Sequence, residues 1–140
     1  MDFVTTIKNQ VLVIDGAMGT QVQNLELTDA DYGGVEFKML PDILVFSHPD
    51  AIKNIHLAYF RAGANAVETN TFGATPFRLA EYDFSHLDLT AFADNPYNVD
   101  LRALSHEDMA YHMSKRAAEI ACDAREEYTR DPQYDGRPLF

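Results

Sequence analysis

"VLVIDGAMGT" (residues 11–20) runs four apolar residues into an aspartate and then into a turn holding two glycines. A continuous apolar run rich in β-branched residues predicts a strand over residues 11–14, buried on both faces of a parallel sheet and ended by Gly16 and Gly19. A carboxylate at the end of a buried strand, here Asp15, is costly to desolvate unless something pairs with it. The scheme recurs at "ANAVETNTFGAT" (64–75), where residues 64–68 read as a second short strand and "TNTFGATP" as the loop after it.

Between the two runs, "SHPDAIKNIHLAYFRAGA" (47–64) predicts a helix of about four turns. Ser47 is placed to cap it, Pro49 suits the first turn, and Asp50 completes a capping-box-like start. Ile52, Ile55, Tyr59 and Ala62 recur at helical spacing, and Gly63 supplies the stop. Residues 21–25 suit a short helical turn, and the polar stretch 26–41 reads as an irregular connection. Residues 83–104, with "DNPYN" in their middle, form a long polar stretch of the length seen in lids, binding loops or insertions. Ser105 then caps a strong helix whose buried stripe is Met109, Met113, Ala117, Ile120, Ala124 and Tyr128, with Lys115, Glu119, Asp123 and Glu126 facing away. "DPQYDGRP" ends it, and residues 138–140 look like a third strand barely begun.

Strand, helix, strand, helix and the start of a strand is the order of right-handed crossover units in a parallel α/β fold. In such folds the loops leaving the carboxyl ends of the strands gather on one face, and that face carries the chemistry. "DGAMG" and "ETNTFGAT" both fall there.

The chain has 140 residues and a formal net charge of −11, with one cysteine. An acidic balance repels phosphate backbones and anionic lipid, so neither nucleic acid nor a membrane surface is an expected partner. The amino terminus carries no basic lead with a long apolar run, and no segment suits a bilayer span, so the cytoplasm is the expected compartment. Cys122 has no second cysteine to pair with and sits where a small buried hydrophobe is expected. His48, His56, His86, His106 and His112 show no metal spacing and read as solvated or packing residues; no metal ligand set is expected on this chain.

"VLVIDGAMGTQVQ", "LVFSHPDAIKNIHLAYFRAGANAVETNTFGAT" and "RLAEY" together resemble the start of the homocysteine S-methyltransferase family, most closely the homocysteine-binding domain of its cobalamin-dependent, methionine-forming members. The resemblance runs from about Val11 to Tyr82 and more loosely over the helix that follows Ser105. It implies an α/β fold consisting of the first βαβα units of a (β/α)8 TIM barrel, truncated before closure. Residues 1–140 would be the amino-terminal portion of the homocysteine-binding domain, with an insertion or lid at about 83–104, longer than the family's usual connection.

The resemblance also implies the chemistry. In the family a zinc ion held by three cysteines takes the homocysteine sulfur as its fourth ligand and lowers the thiol pKa, so that a thiolate attacks an electrophilic methyl group. In the cobalamin-dependent members that methyl comes from methyltetrahydrofolate by way of cobalamin. Asp15 matches the aspartate that holds the substrate's α-ammonium. Gly16, Ala17 and Met18 match a segment whose backbone amides face the substrate carboxylate, and Glu68, Thr69, Asn70 and Thr71 match the second strand exit lining the pocket. The family's zinc cysteines lie on later strands, in Asn-Cys and Gly-Gly-Cys-Cys-Gly contexts absent here, and a complete barrel needs ~250 residues. The chain is therefore expected to be one piece of a larger enzyme, binding no zinc and transferring no methyl group alone; zinc and cobalamin belong to the complete enzyme.

Each residue also has an ordinary structural reading. Asp15 would stabilise its own glycine turn, and Glu68 and Asn70 would satisfy loop backbone. The alternative for the whole chain is a non-catalytic α/β assembly or interaction protein that retains the start of the barrel, closing its exposed strand edges by self-association. A phosphosugar-type barrel would need a phosphate loop, for which nothing in the sequence speaks.

Overall fold

A computed structural model describes residues 2–93 and 95–140; Asp94, inside the 83–104 stretch, lies outside the described residues. Among the described residues six helices carry the architecture: α1 (Phe3–Asn9), α2 (Met18–Gln23), α3 (Leu44–Ser47), α4 (Pro49–Arg61), α5 (Pro76–Leu79) and α6 (His106–Tyr128). The connections between them include six short 3₁₀ turns. Helix α6 is the spine against which α3, α4 and α5 all pack.

The long helix forms for the reasons its sequence gives. Ser105 accepts from the Asp108 amide at 3.1 Å, satisfying an otherwise orphaned donor at the helix start. The stripe Met109, Met113, Ala117, Ile120, Ala124 and Tyr128 is buried throughout, with Ala110 added. Helix α4 begins at Pro49, whose missing N–H costs nothing in a first turn. It ends as expected at Ala62–Gly63, where Gly63 takes φ +110, a backbone conformation that side chains disfavour. It buries two faces: Ile52 and Ile55 enter the main core, while Leu57 and Phe60 meet Ala124 and Tyr128 in a smaller cluster.

The extended segments differ from the sequence expectation. Residues 14 and 66 form one parallel bridge, with the Ala66 amide donating to Val13 O at 3.2 Å and the Asp15 amide to Ala66 O at 3.0 Å. Phe140 then donates to Asn65 O at 2.7 Å and accepts from the Val67 amide at 3.1 Å, the slanted pattern of parallel pairing. Three segments thus align in the expected order, yet the described residues form no continuous sheet and the fold is mostly helical. Burial of residues 11–14 on both faces is not observed: Val11 is 90% exposed, Val13 54% and Ile14 57%. A strand is covered on both faces only when neighbours and helices lie over each, and the segment is paired along one side at a single position.

Three further expectations are corrected. Ser47 does not cap α4: it closes α3, and its buried hydroxyl has no partner among the described residues. His48 occupies the cap position and pairs instead with Asp31 at 3.2 Å. Cys122 is exposed rather than buried, because it lies two residues from Ile120 and so about 200° around the helix from the apolar stripe. Glu119 faces solvent only in part, since it accepts the Tyr97 hydroxyl at 2.6 Å.

The 83–104 stretch is anchored by Phe84, Leu87, Phe92 and Leu101, all buried. Phe84 stacks on Phe37 at 5.5 Å, and Leu87 and Phe92 close over Gly33. At Gly33 φ is +81, and an added Cβ would stand 2.6 Å from Leu87 Cδ1 and 2.7 Å from Phe92 Cε2. Gly33→Ala is expected to destabilise the fold by about 1–3 kcal/mol through backbone strain and overpacking. Urea unfolding checks it; a midpoint unchanged from the parent would show that the stretch packs less closely.

Candidate functional site

The bridge at residues 14 and 66 sets the ends of the first two extended segments side by side, so their exit loops converge. Around that convergence lies a cavity of about 460 Å³ lined by Ile14, Asp15, Gly16, Ala17, Met18, Gly19, Pro41, Glu68, Thr69, Asn70, Thr71 and Phe72. All eight residues singled out in the sequence are among them: Asp15, Gly16, Ala17 and Met18 from the first exit, Glu68, Thr69, Asn70 and Thr71 from the second. None of the described residues of the 83–104 stretch lines it.

Asp15 is half-buried. Its backbone is held by the ladder, and its carboxylate accepts from the Glu68 amide, 3.2 Å from Oδ1 and 3.1 Å from Oδ2. The side chain therefore reaches across from the first exit to the second. No lysine, arginine or histidine pairs with it among the described residues. Burial pushes its carboxyl above the ordinary carboxylate range, the Glu68 amide pulls the other way, and the Glu68 carboxylate adds repulsion. The turn-stabilising role within its own loop is not what is observed: the partner is 53 residues away.

Gly16 lets the first loop pass close to α4. An added Cβ there would meet the Tyr59 hydroxyl at 3.2 Å, and that hydroxyl donates to Ala17 O at 3.1 Å. The amides of Gly16 and Ala17 donate to no acceptor among the described residues. In the second loop, the Thr69 and Thr71 hydroxyls lie 2.8 Å apart and share one hydrogen bond. Asn70 is buried, with its amide group donating to Pro41 O at 2.9 Å; this contact belongs to the loop's own support.

Ile14, Gly19, Pro41 and Phe72 were not singled out in the sequence. Pro41 lies far from either exit in the chain and carries no motif. Phe72 follows "ETNT" directly and is fully exposed beside the cavity, so a large aromatic placed after a polar run was the available signal. Among the described residues the lining thus holds two carboxylates, two hydroxyls and free amides, but no lysine, arginine, histidine or cysteine. Such a lining favours a cation and suits binding and orientation of a positively charged group.

The residues present do not fit a zinc ion. The single cysteine is exposed on α6, and no group of three or more His, Cys, Asp or Glu among the described residues is placed to hold a metal.

The homocysteine S-methyltransferase family model matches residues 12–138. The chain belongs to the homocysteine S-methyltransferase family. Methionine synthase of Mycobacterium leprae (strain TN) is 46% identical over 84 residues, 60% of this chain and 7% of that protein. The oxidised form of the homocysteine methyltransferase MmuM from Escherichia coli superposes with a TM-score of 0.58 at 25% identity, over 91% of this chain and 35% of the other. Its metallated form gives a TM-score of 0.62 at 23% identity over 96% of this chain and 38% of the other, a likeness of fold alone. The chain thus spans little more than a third of the solved relatives and a small part of the methionine synthase.

Proposed function

We propose that this chain supplies the amine-recognising part of a homocysteine-binding (β/α)8 barrel, in an enzyme that transfers a methyl group to homocysteine to give methionine. The observation that carries this reading is Asp15: a half-buried carboxylate at the convergence of two exits, with no cation to neutralise it among the described residues. A substrate α-ammonium is the missing partner, and a charge-assisted contact offsets the carboxylate's desolvation. The free amides of Gly16 and Ala17, on the same cavity wall as Met18, are suited to the substrate carboxylate. Glu68, Thr69 and Thr71 bound the opposite side.

The resemblance of "VLVIDGAMGT" and "ETNTFGAT" to the family's first two strand exits supports its being the opening units of such a barrel, with zinc and cobalamin held elsewhere in the complete enzyme. No step through either is assigned to residues here. The work of this chain is to hold the amino acid by its charged end and orient it. The 83–104 stretch we read as an insertion on the helical layer, since its described residues are anchored there and do not line the cavity.

Asp15→Asn, in the chain extended to a full family barrel, is expected to weaken L-homocysteine about tenfold to a hundredfold, the worth of a desolvated charged hydrogen bond. Binding of 4-sulfanylbutanoate, which lacks the amine, should barely change. Calorimetric titration of both ligands checks this; equal losses would make Asp15 structural. A second reading, self-association of a non-catalytic protein, is favoured by the exposure of Val11, Val13 and Ile14. It requires a stable homodimer in sedimentation, and a monomer removes it.

A further inference from the structure

We infer that Asp42 is a positioning residue for the cavity, its buried carboxylate fixing the turn that carries Thr69–Phe72 into the wall. Asp42 lies on the 3₁₀ turn Pro41–Ile43 and is 2% exposed. Its Oδ1 accepts from the buried Gly73 amide at 2.7 Å, the short distance of a charge-assisted bond.

The fit at Gly73 is tight on the same side. A Cβ added there would stand 2.8 Å from Asp42 Oδ2 and 3.3 Å from Leu40 Cδ1. Glycine is required at this position for space, because its φ is not in the left-handed region. The neighbouring residue of the same turn holds the other end of the loop, as Pro41 O accepts from the Asn70 side chain at 2.9 Å. Two consecutive residues thus grip the loop at positions 70 and 73, and the residues between them, Thr71 and Phe72, line the cavity.

A carboxylate is an expensive way to make a purely structural contact. Burial pushes the Asp42 carboxyl above the ordinary range, opposed by the Gly73 amide and by the charge of Arg78. Arg78 is itself engaged with Glu81 and with the Tyr82 hydroxyl. Removing the carboxylate would leave a buried Gly73 N–H with no acceptor and release the loop between its two grips. The inference that this matters for homocysteine rests on the reading of the cavity given above; the positioning itself does not.

The test is residue-resolved amide hydrogen exchange on the chain. In Asp42→Ala, amides of residues 71–74 are expected to exchange at least about tenfold faster, while those of α4 and α6 keep parental rates. Asp42→Asn, which retains an acceptor oxygen, should restore most of the protection. Unchanged rates at 71–74, or equal acceleration through α4 and α6, would overturn the inference. Should Asp42→Ala fail to fold, Gly73→Ala, which leaves Asp42 in place, is measured for the same two outcomes. In the chain extended to a full family barrel, Asp42→Ala should also weaken L-homocysteine. Local loosening without any loss of that affinity would fault the substrate reading and leave the positioning role standing.

Discussion

Phe60→Ala is expected to cost about 3–5 kcal/mol, the range for removing a fully buried aromatic. Phe60 has no solvent exposure and stacks on Tyr128 with ring centroids 5.8 Å apart and planes at 10°. The Arg137 guanidinium lies over the other ring, 5.3 Å from the Tyr128 centroid. Arg137 also donates to Phe60 O and, at 3.2 Å, to Ala64 O, so one arginine occupies carbonyls at the end of α4 and just beyond it. This cluster ties α4 and α6 to the segments around residues 65 and 140. Against a total stability of about 5–15 kcal/mol for a natural domain, the loss is a large fraction. Urea unfolding checks it: the midpoint should fall steeply at unchanged slope. A loss below about 1 kcal/mol would mean that the cluster collapses freely around the gap.

The second large effect is on pH dependence and concerns His56. The ring is fully buried on α4, and neither nitrogen meets a hydrogen-bond partner among the described residues. Burial lowers its pKa from 6.5 to about 4. A base whose folded pKa lies below its unfolded value binds its proton more readily when unfolded, so the folded state loses stability as pH falls from 6.5 towards 4. The loss amounts to about 3 kcal/mol over that window. Asp15 and Asp42, both raised by burial, act in the opposite sense as acid is added, so the comparison is made between variants. His56→Leu should match or exceed the parent at neutral pH, since no hydrogen bond is lost, and should lose about 3 kcal/mol less between the same limits. Denaturant unfolding across the range reads this directly. Parallel stability curves would show that His56 is protonated in the fold or finds a partner.

Much of the helical layer was legible because its signals are local. The spacing of Met109, Met113, Ala117, Ile120, Ala124 and Tyr128 is a property of the helix alone, and Ser105 with Asp108 announces its start. The two exits were legible for a different reason: an apolar run stopping at a charged residue marks a segment end whatever surrounds it. What failed depended on partners distant in sequence. Residues 11–14 have the composition of a strand covered on both faces, but coverage comes from other elements. Ser47 had a plausible cap spacing, yet "LVFS" became helix α3 because Leu44, Val45 and Phe46 are drawn into the core. Asp42 carried no signal, because its partner is a glycine amide 31 residues on. A carboxylate chosen to meet a backbone N–H leaves no trace in residue type at the other end.

In the role proposed for it, Asp15 stands ready for a substrate ammonium. That role is tested most directly by the Asp15 carboxyl pKa, followed by carbon-detected NMR in the chain extended to a full family barrel, with and without saturating L-homocysteine. An ammonium in contact favours the ionised carboxylate, so the pKa, which burial raises in the 140-residue chain, should fall on binding. A value that stays where it was, or rises, when the ligand is bound would contradict the account.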